Sequence, residues 1–181
     1  NQISKENILK FNKSNISLIM GSNCHVVLYP INQHQEFNIV CIIRKKLHGN
    51  ENIREILEKT VLKENKNLTN FFKGELKSWP IYTSKRPARS IYKNVLYIGD
   101  AFYTFAPTIA QGSSQAIESA NEIFELIREN HTDIQNEYFL NRLNRTNLIN
   151  KRSKFNYFGF HITNPLLRIV RNLVLKRIVK N

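Results

Sequence analysis

Residues 97–127 read YIGDAFYTFAPTIAQGSSQAIESANEIFELI, and this stretch decides how the rest of the chain is understood. The apolar run Asn94-Val95-Leu96-Tyr97-Ile98 leads into it and has the length of a short buried strand. It stops at Gly99-Asp100, and a loop carries the chain to Gln111-Gly112-Ser113-Ser114. From there to residue 129 the apolar positions Ala116, Ile117, Ala120, Ile123, Phe124 and Ile127 recur at helical spacing and predict one buried face, with Glu118, Glu122 and Glu125 off it. A strand ending in Gly-Asp puts a carboxylate at its C-terminal edge, where open α/β sheets bind ligands. Gly99 lets a backbone or ligand approach closely, and an ionised Asp100 is acceptor-only, suited to hydroxyl groups. The start of the helix offers unsatisfied N–H groups and the positive end of its dipole. A capping role for Ser113 or Ser114 is the plainer reading of those two residues.

The segment resembles the second flavin-binding motif of the FAD-dependent aromatic hydroxylases, the para-hydroxybenzoate, salicylate and ubiquinone-biosynthesis hydroxylase type. Gly99-Asp100-Ala101, Pro107, Gln111-Gly112 and Glu118 fall at matching spacing. The resemblance implies that Gly99 and Asp100 meet the ribityl chain of FAD. It places Gly112, Ser113 and Ser114 at the pyrimidine edge of the ring, where a reduced flavin carries negative charge, and Pro107 on the substrate side. It further implies a monooxygenase that uses NAD(P)H and O2 to hydroxylate a small aromatic or similarly electron-rich substrate. Phe102-Tyr103, Ile109-Ala110 and Ser119 depart from the family pattern, in which Ala-His, a Gly-rich pair and Asp are usual. The loop around residues 102 and 103 is therefore expected to be reshaped by bulk, and the turn at Ala110 to be stiffer.

Upstream, Ile16–Met20, His25–Tyr29 (closed by Pro30) and Phe37–Ile43 read as three strands separated by polar turns, hence an antiparallel meander. Residues 53–62 have helical period. The hairpin from Gly21 to Pro30 and the stretch from Trp79 to Arg89 resemble the substrate domain of the same family and its return to the flavin domain. Two further helices are predicted, over about 133–152 and 165–179. The fold expected is thus the C-terminal portion of a flavoprotein monooxygenase, α+β / α/β in class. It comprises antiparallel substrate-domain strands over 1–88, a flavin-domain strand, loop and helix over 89–130, and basic helices over 131–181. No GxGxxG occurs in the sequence, so the ADP half of FAD has no phosphate cradle. The chain is expected to be the C-terminal part of a longer protein and, alone, inactive.

The net charge is +13, and residues 142–181 hold ten Lys or Arg and no Asp or Glu. Such asymmetry points to a polyanionic surface or to a solvated basic face. The sequence PLLRIVRNLVLKRIV, residues 165–179, is amphipathic. It suits either docking on the flavin domain through its apolar face or peripheral contact with a membrane. Aromatic and basic residues do not interleave on one strand as a nucleic-acid stacking platform needs, so no nucleic-acid partner is expected. A non-catalytic remnant and a basic binding module are the alternative readings of function. The two cysteines, Cys24 and Cys41, and the five histidines show no metal-binding spacing, so no metal is expected and the thiols read as reduced core groups of a cytoplasmic protein. No catalytic acid or base is assigned.

Overall fold

In the computed structural model the described residues are 15–32, 36–44, 52–63 and 65–179, and they form two compact units. The first joins the chain up to Trp79 with the chain from Phe158 onward, and the second spans Pro80–Tyr157.

The first unit is built on the expected meander. Strands β1 (Ser17–Met20), β2 (Cys24–Ile31) and β3 (Glu36–Ile43) pair antiparallel in sequence order. Ser17 pairs with Leu28, and Val26 pairs with Cys41. The β1–β2 turn closes with the Gly21 N–H donating to the Cys24 carbonyl at 2.9 Å, and Asn23 takes the left-handed conformation, φ 61°, which Asn tolerates better than most residues. β2 does not stop at Pro30 but continues to Ile31, with Pro30 opposite Phe37. Alternation sends Cys24, Val26 and Leu28 of β2 into a core with Leu57, Val61, Leu68, Phe71 and Phe72. Both cysteines are free thiols.

Helix α1 (Ile53–Leu57) starts where the Asn52 side chain accepts from the Arg54 N–H at 3.0 Å. It runs on as a π-helical turn over Glu58–Leu62. Ile56, Leu57 and Val61 are buried on the predicted face. Arg54 then ties α1 to the end of a 3-10 segment, Lys66–Phe72, donating to the Phe72 and Gly74 carbonyls at 3.2 Å each.

In the second unit, residues 94–98 do not form the predicted strand. No described strand lies beside them, so there is no ladder to join. Their carbonyls are held by side chains instead: Tyr138 Oη donates to Tyr97 at 2.8 Å, and Gln135 Nε2 donates to Val95 at 3.4 Å. The parallel sheet that an α/β reading requires is absent among the described residues, and the architecture is α+β.

Three helices complete this unit, α2 (Gly99–Phe102), α3 (Gly112–Arg128) and most of α4 (Ile134–Phe160). α4 runs two turns past the expected end near 152 and enters the first unit at Phe158. The core of the second unit gathers Phe102, Tyr103, Leu126 and Tyr138. α5 (Pro165–Val179) belongs to the first unit and matches its predicted bounds. Asn164 caps it, its side-chain oxygen accepting from the Leu166 and Leu167 N–H groups.

Candidate functional site

The site residues expected from the sequence are brought together by α2 and α3. Gly99 opens α2 at φ +55°, a conformation that costs an L-residue with a side chain roughly 1–2 kcal/mol. A Cβ added there would lie 3.2 Å from the Ala116 Cβ. Glycine is therefore favoured twice, by the positive φ of the turn and by the close packing of α2 on α3. Ala116 is one helical turn beyond Gly112, so the Gly99-Asp100 turn rests beside the start of α3. Asp100 is exposed, and its main-chain carbonyl accepts from Thr104 Oγ1 at 3.1 Å.

Gly112, Ser113 and Ser114 form the first turn of α3 and are all exposed. The capping position is Gln111, and no side chain caps the helix, so neither serine is the cap. A Cβ built on Gly112 would meet nothing within 4 Å. The first turn thus has room beside Gly112 and no capping side chain. Its N–H groups carry the positive end of a 17-residue helix.

The loop between α2 and α3 is rigidly held. Phe102 and Tyr103 turn into the core rather than into the loop, so their bulk leaves the loop free. Pro107 is exposed and begins the 3-10 turn Pro107–Ile109. Ala110 follows at φ 51°, the left-handed position. The turn, expected to be stiffer without glycine, is held by hydrogen bonds to α4. Thr108 Oγ1 donates to the Ser153 carbonyl at 2.8 Å, and Ser153 Oγ donates to the Ala106 carbonyl at 2.6 Å.

The buried face of α3 is shifted around the helix from the predicted one, and of the predicted stripe Ala116 and Ile123 stay half-buried, Ile123 against the core. Ile117, at 70% exposure, Phe124 and Ile127 face outward, while Gln115 and Ser119 are buried. The cause is α4. Its buried Arg142 donates to Gln115 Oε1 at 2.7 Å and to Glu118 Oε2 at 3.2 Å. Arg145 adds a two-point contact to the Glu118 carboxylate, 2.9 and 2.7 Å. The Arg145 hydrogen bonds, followed by the contributions of Arg142, hold the Glu118 carboxyl down at about 2 against the opposing effect of burial. Glu118, a motif match in the sequence, thus fixes α3 on α4. Thr108, Gln115, Arg142 and Ser153 carry the site's support and were not singled out by pattern, because their partners lie 24 or more residues away.

The histidines play structural parts. His25 and His161 are buried against each other, and His131 bonds Glu137 at 2.6 Å. His34 and His48 lie outside the described residues. Among the described residues no group of three or more His, Cys, Asp or Glu could hold a metal ion, and no described helix is long and apolar enough to cross a membrane.

No protein-family model and no curated protein matches the chain. Two solved structures of Pseudomonas aeruginosa PqsL share its fold. One, described as a probable FAD-dependent monooxygenase, superposes with a TM-score of 0.57 at 18% identity over 83% of this chain and 46% of its own. The other, PqsL in complex with 2-aminobenzoylacetate, gives 0.56 at 18% identity over 86% of this chain and 45% of its own. The chain therefore spans just under half the length of the structures it matches, and its fold is that of the corresponding part of PqsL.

Proposed function

We propose that this chain is the flavin-ring and substrate-domain portion of an FAD-dependent monooxygenase that hydroxylates a small aromatic or similarly electron-rich compound, with NAD(P)H and O2 as co-substrates. One observation carries the reading. The Gly99-Asp100 turn is packed on the start of α3 by a close approach, at a positive φ, that favours glycine. This leaves an exposed carboxylate and an exposed, side-chain-uncapped helix start in the same unit. The fold shared with PqsL supports it.

The residues present fit a flavin. Gly112 leaves room beside the first turn, and no side chain caps the N–H groups of residues 112–114, which a flat ring would meet. These donors and the helix dipole favour negative charge on the pyrimidine edge without a cationic side chain. Asp100 would accept from ribityl hydroxyls. Pro107, exposed at the loop, would line the substrate side. When bound, FAD supplies the redox and oxygen-transfer chemistry, and the protein supplies orientation and shielding. The loop clamp from Thr108 to Ser153 gives the orientation its rigidity.

The ADP moiety requires a phosphate cradle that this sequence does not contain. The reading therefore places a βαβ unit upstream of Asn1. The test is to sequence the coding region immediately upstream and to purify the encoded protein. A GxGxxG after a strand pattern, with flavin absorbance near about 450 nm in the purified protein, is the expected result. A start codon upstream of Asn1 with no such motif between them, or a colourless longer protein that takes up no FAD, overturns it.

A further inference from the structure

We propose that α5 is a lipid-surface anchor that lays its outward apolar arc into the headgroup boundary of an anionic bilayer. The orientation of the helix carries the argument. At 100° per residue, Leu166, Leu167, Ile169, Val170, Leu173, Val174 and Ile178 occupy about half its circumference. All seven are exposed, Leu166 at 73% and Leu173 at 60%. Within the first unit, the apolar arc is not the side through which the helix is held. The side turned to the protein is the one with Arg168, Arg171 and half-buried Leu175. Arg168 donates to Ser22 Oγ at 3.2 Å, and Arg171 donates to the Gly159 carbonyl at 3.1 Å. Polar bonds hold the helix from within, and its apolar arc points out.

Charge selects the occupant. Lys176 and Arg177 are exposed at the end of the helix, and Arg177 lies within the apolar arc. Its aliphatic stem can follow the apolar surface while the guanidinium reaches outward. No Asp or Glu occurs in residues 142–181. A second copy of this face would set these cations against their own kind. A nucleic acid would have no use for seven aliphatic side chains, and the helix offers no aromatic ring for base stacking. An acidic lipid surface satisfies both features at once. The helix has 15 residues, about 22 Å at 1.5 Å per residue, so it lies in the interface and does not cross it. The proposal is independent of the flavin reading.

The test is vesicle flotation of the full chain, using phosphatidylcholine alone and an equal mixture of phosphatidylcholine and phosphatidylserine, at low and high salt. Expected is flotation with the anionic vesicles that weakens with salt. Replacing both Lys176→Gln and Arg177→Gln should weaken it roughly thirtyfold, from about 1 kcal/mol per cation. Leu173→Glu, at an exposed position, should abolish it while the far-ultraviolet circular dichroism stays unchanged. Absence of flotation at every salt overturns the proposal, as does flotation indifferent to Leu173→Glu. A dimer that Leu173→Glu dissociates, without vesicle binding, assigns the face to a second copy and also overturns it. So does salt-sensitive binding of an oligonucleotide without vesicle binding.

Discussion

His25 Nδ1 and His161 Nε2 lie 2.8 Å apart, buried, 136 positions from each other in the chain. Only one hydrogen can sit between two ring nitrogens, so at least one ring is neutral and accepts from the other's N–H. Phe160 meets His25 edge-on, with ring centroids 5.1 Å apart. Burial lowers both imidazoles from 6.5 to about 4, and for His161 the nearby His25 and Arg44 lower it further. A base with a depressed folded-state value binds its proton more weakly in the native state. Stability is therefore complete above about 6.5 and is lost as pH falls toward about 4. Urea unfolding followed stepwise across that window should show the midpoint falling. His161→Phe should cost about 1–3 kcal/mol near neutral pH by leaving the His25 nitrogen unpaired, and should flatten the acid response.

The two glycines of the candidate site should respond to alanine with opposite signs. Gly99→Ala forces a Cβ to 3.2 Å from Ala116 at φ +55°, and should lower stability by about 2 kcal/mol. Gly112→Ala meets no atom within 4 Å and lies in a helical first turn, so it should be neutral or stabilising by up to about 1 kcal/mol. Equilibrium denaturation of both variants checks this. Gly112→Val in the longer protein should still fold but should impair flavin binding or reduction, measured by flavin content and the rate of reduction by NAD(P)H.

Glu118 should matter most to the α3–α4 contact. Its carboxyl, held at about 2 by Arg145 and then Arg142, contributes stability that is present above about 4.5 and is lost as pH falls through about 2. The carboxylate is partly exposed, and solvent screening tempers the effect. Glu118→Gln should cost about 1–2 kcal/mol near neutral pH, chiefly by leaving buried Arg142 less well paired. Thermal unfolding of the wild type and variant across the acid range should converge below about pH 2.

Asp100→Ala should separate cofactor binding from folding. The residue is exposed, so the stability of the unit should change little. Loss of a charge-assisted hydrogen bond to a ribityl hydroxyl should weaken FAD retention in the longer protein roughly ten- to a hundredfold. Flavin occupancy after gel filtration is the measurement, and unchanged occupancy would remove Asp100 from the site.

Local signals in the sequence determined the elements. Three β-rich runs split by polar turns specify the meander, since short connections join antiparallel neighbours. Pro165 marks the start of α5, and the helical period of residues 111–129 marks α3. Gly99-Asp100 and Gly112-Ser113-Ser114 lie close enough in sequence for a family resemblance to link them. Burial and pairing were decided only by the tertiary structure. The apolar stripe of α3 looked like a core face, yet Arg142 of α4 draws Gln115 and Glu118 inward and leaves Ile117 and Phe124 outside. Residues 94–98 have the composition of a strand but no pairing strand among the described residues, and Gln135 and Tyr138 take carbonyls of theirs. Nothing near His25 in the sequence announces His161. Period and composition report what a segment can bury, whereas what it does bury depends on partners that only the folded chain brings within reach.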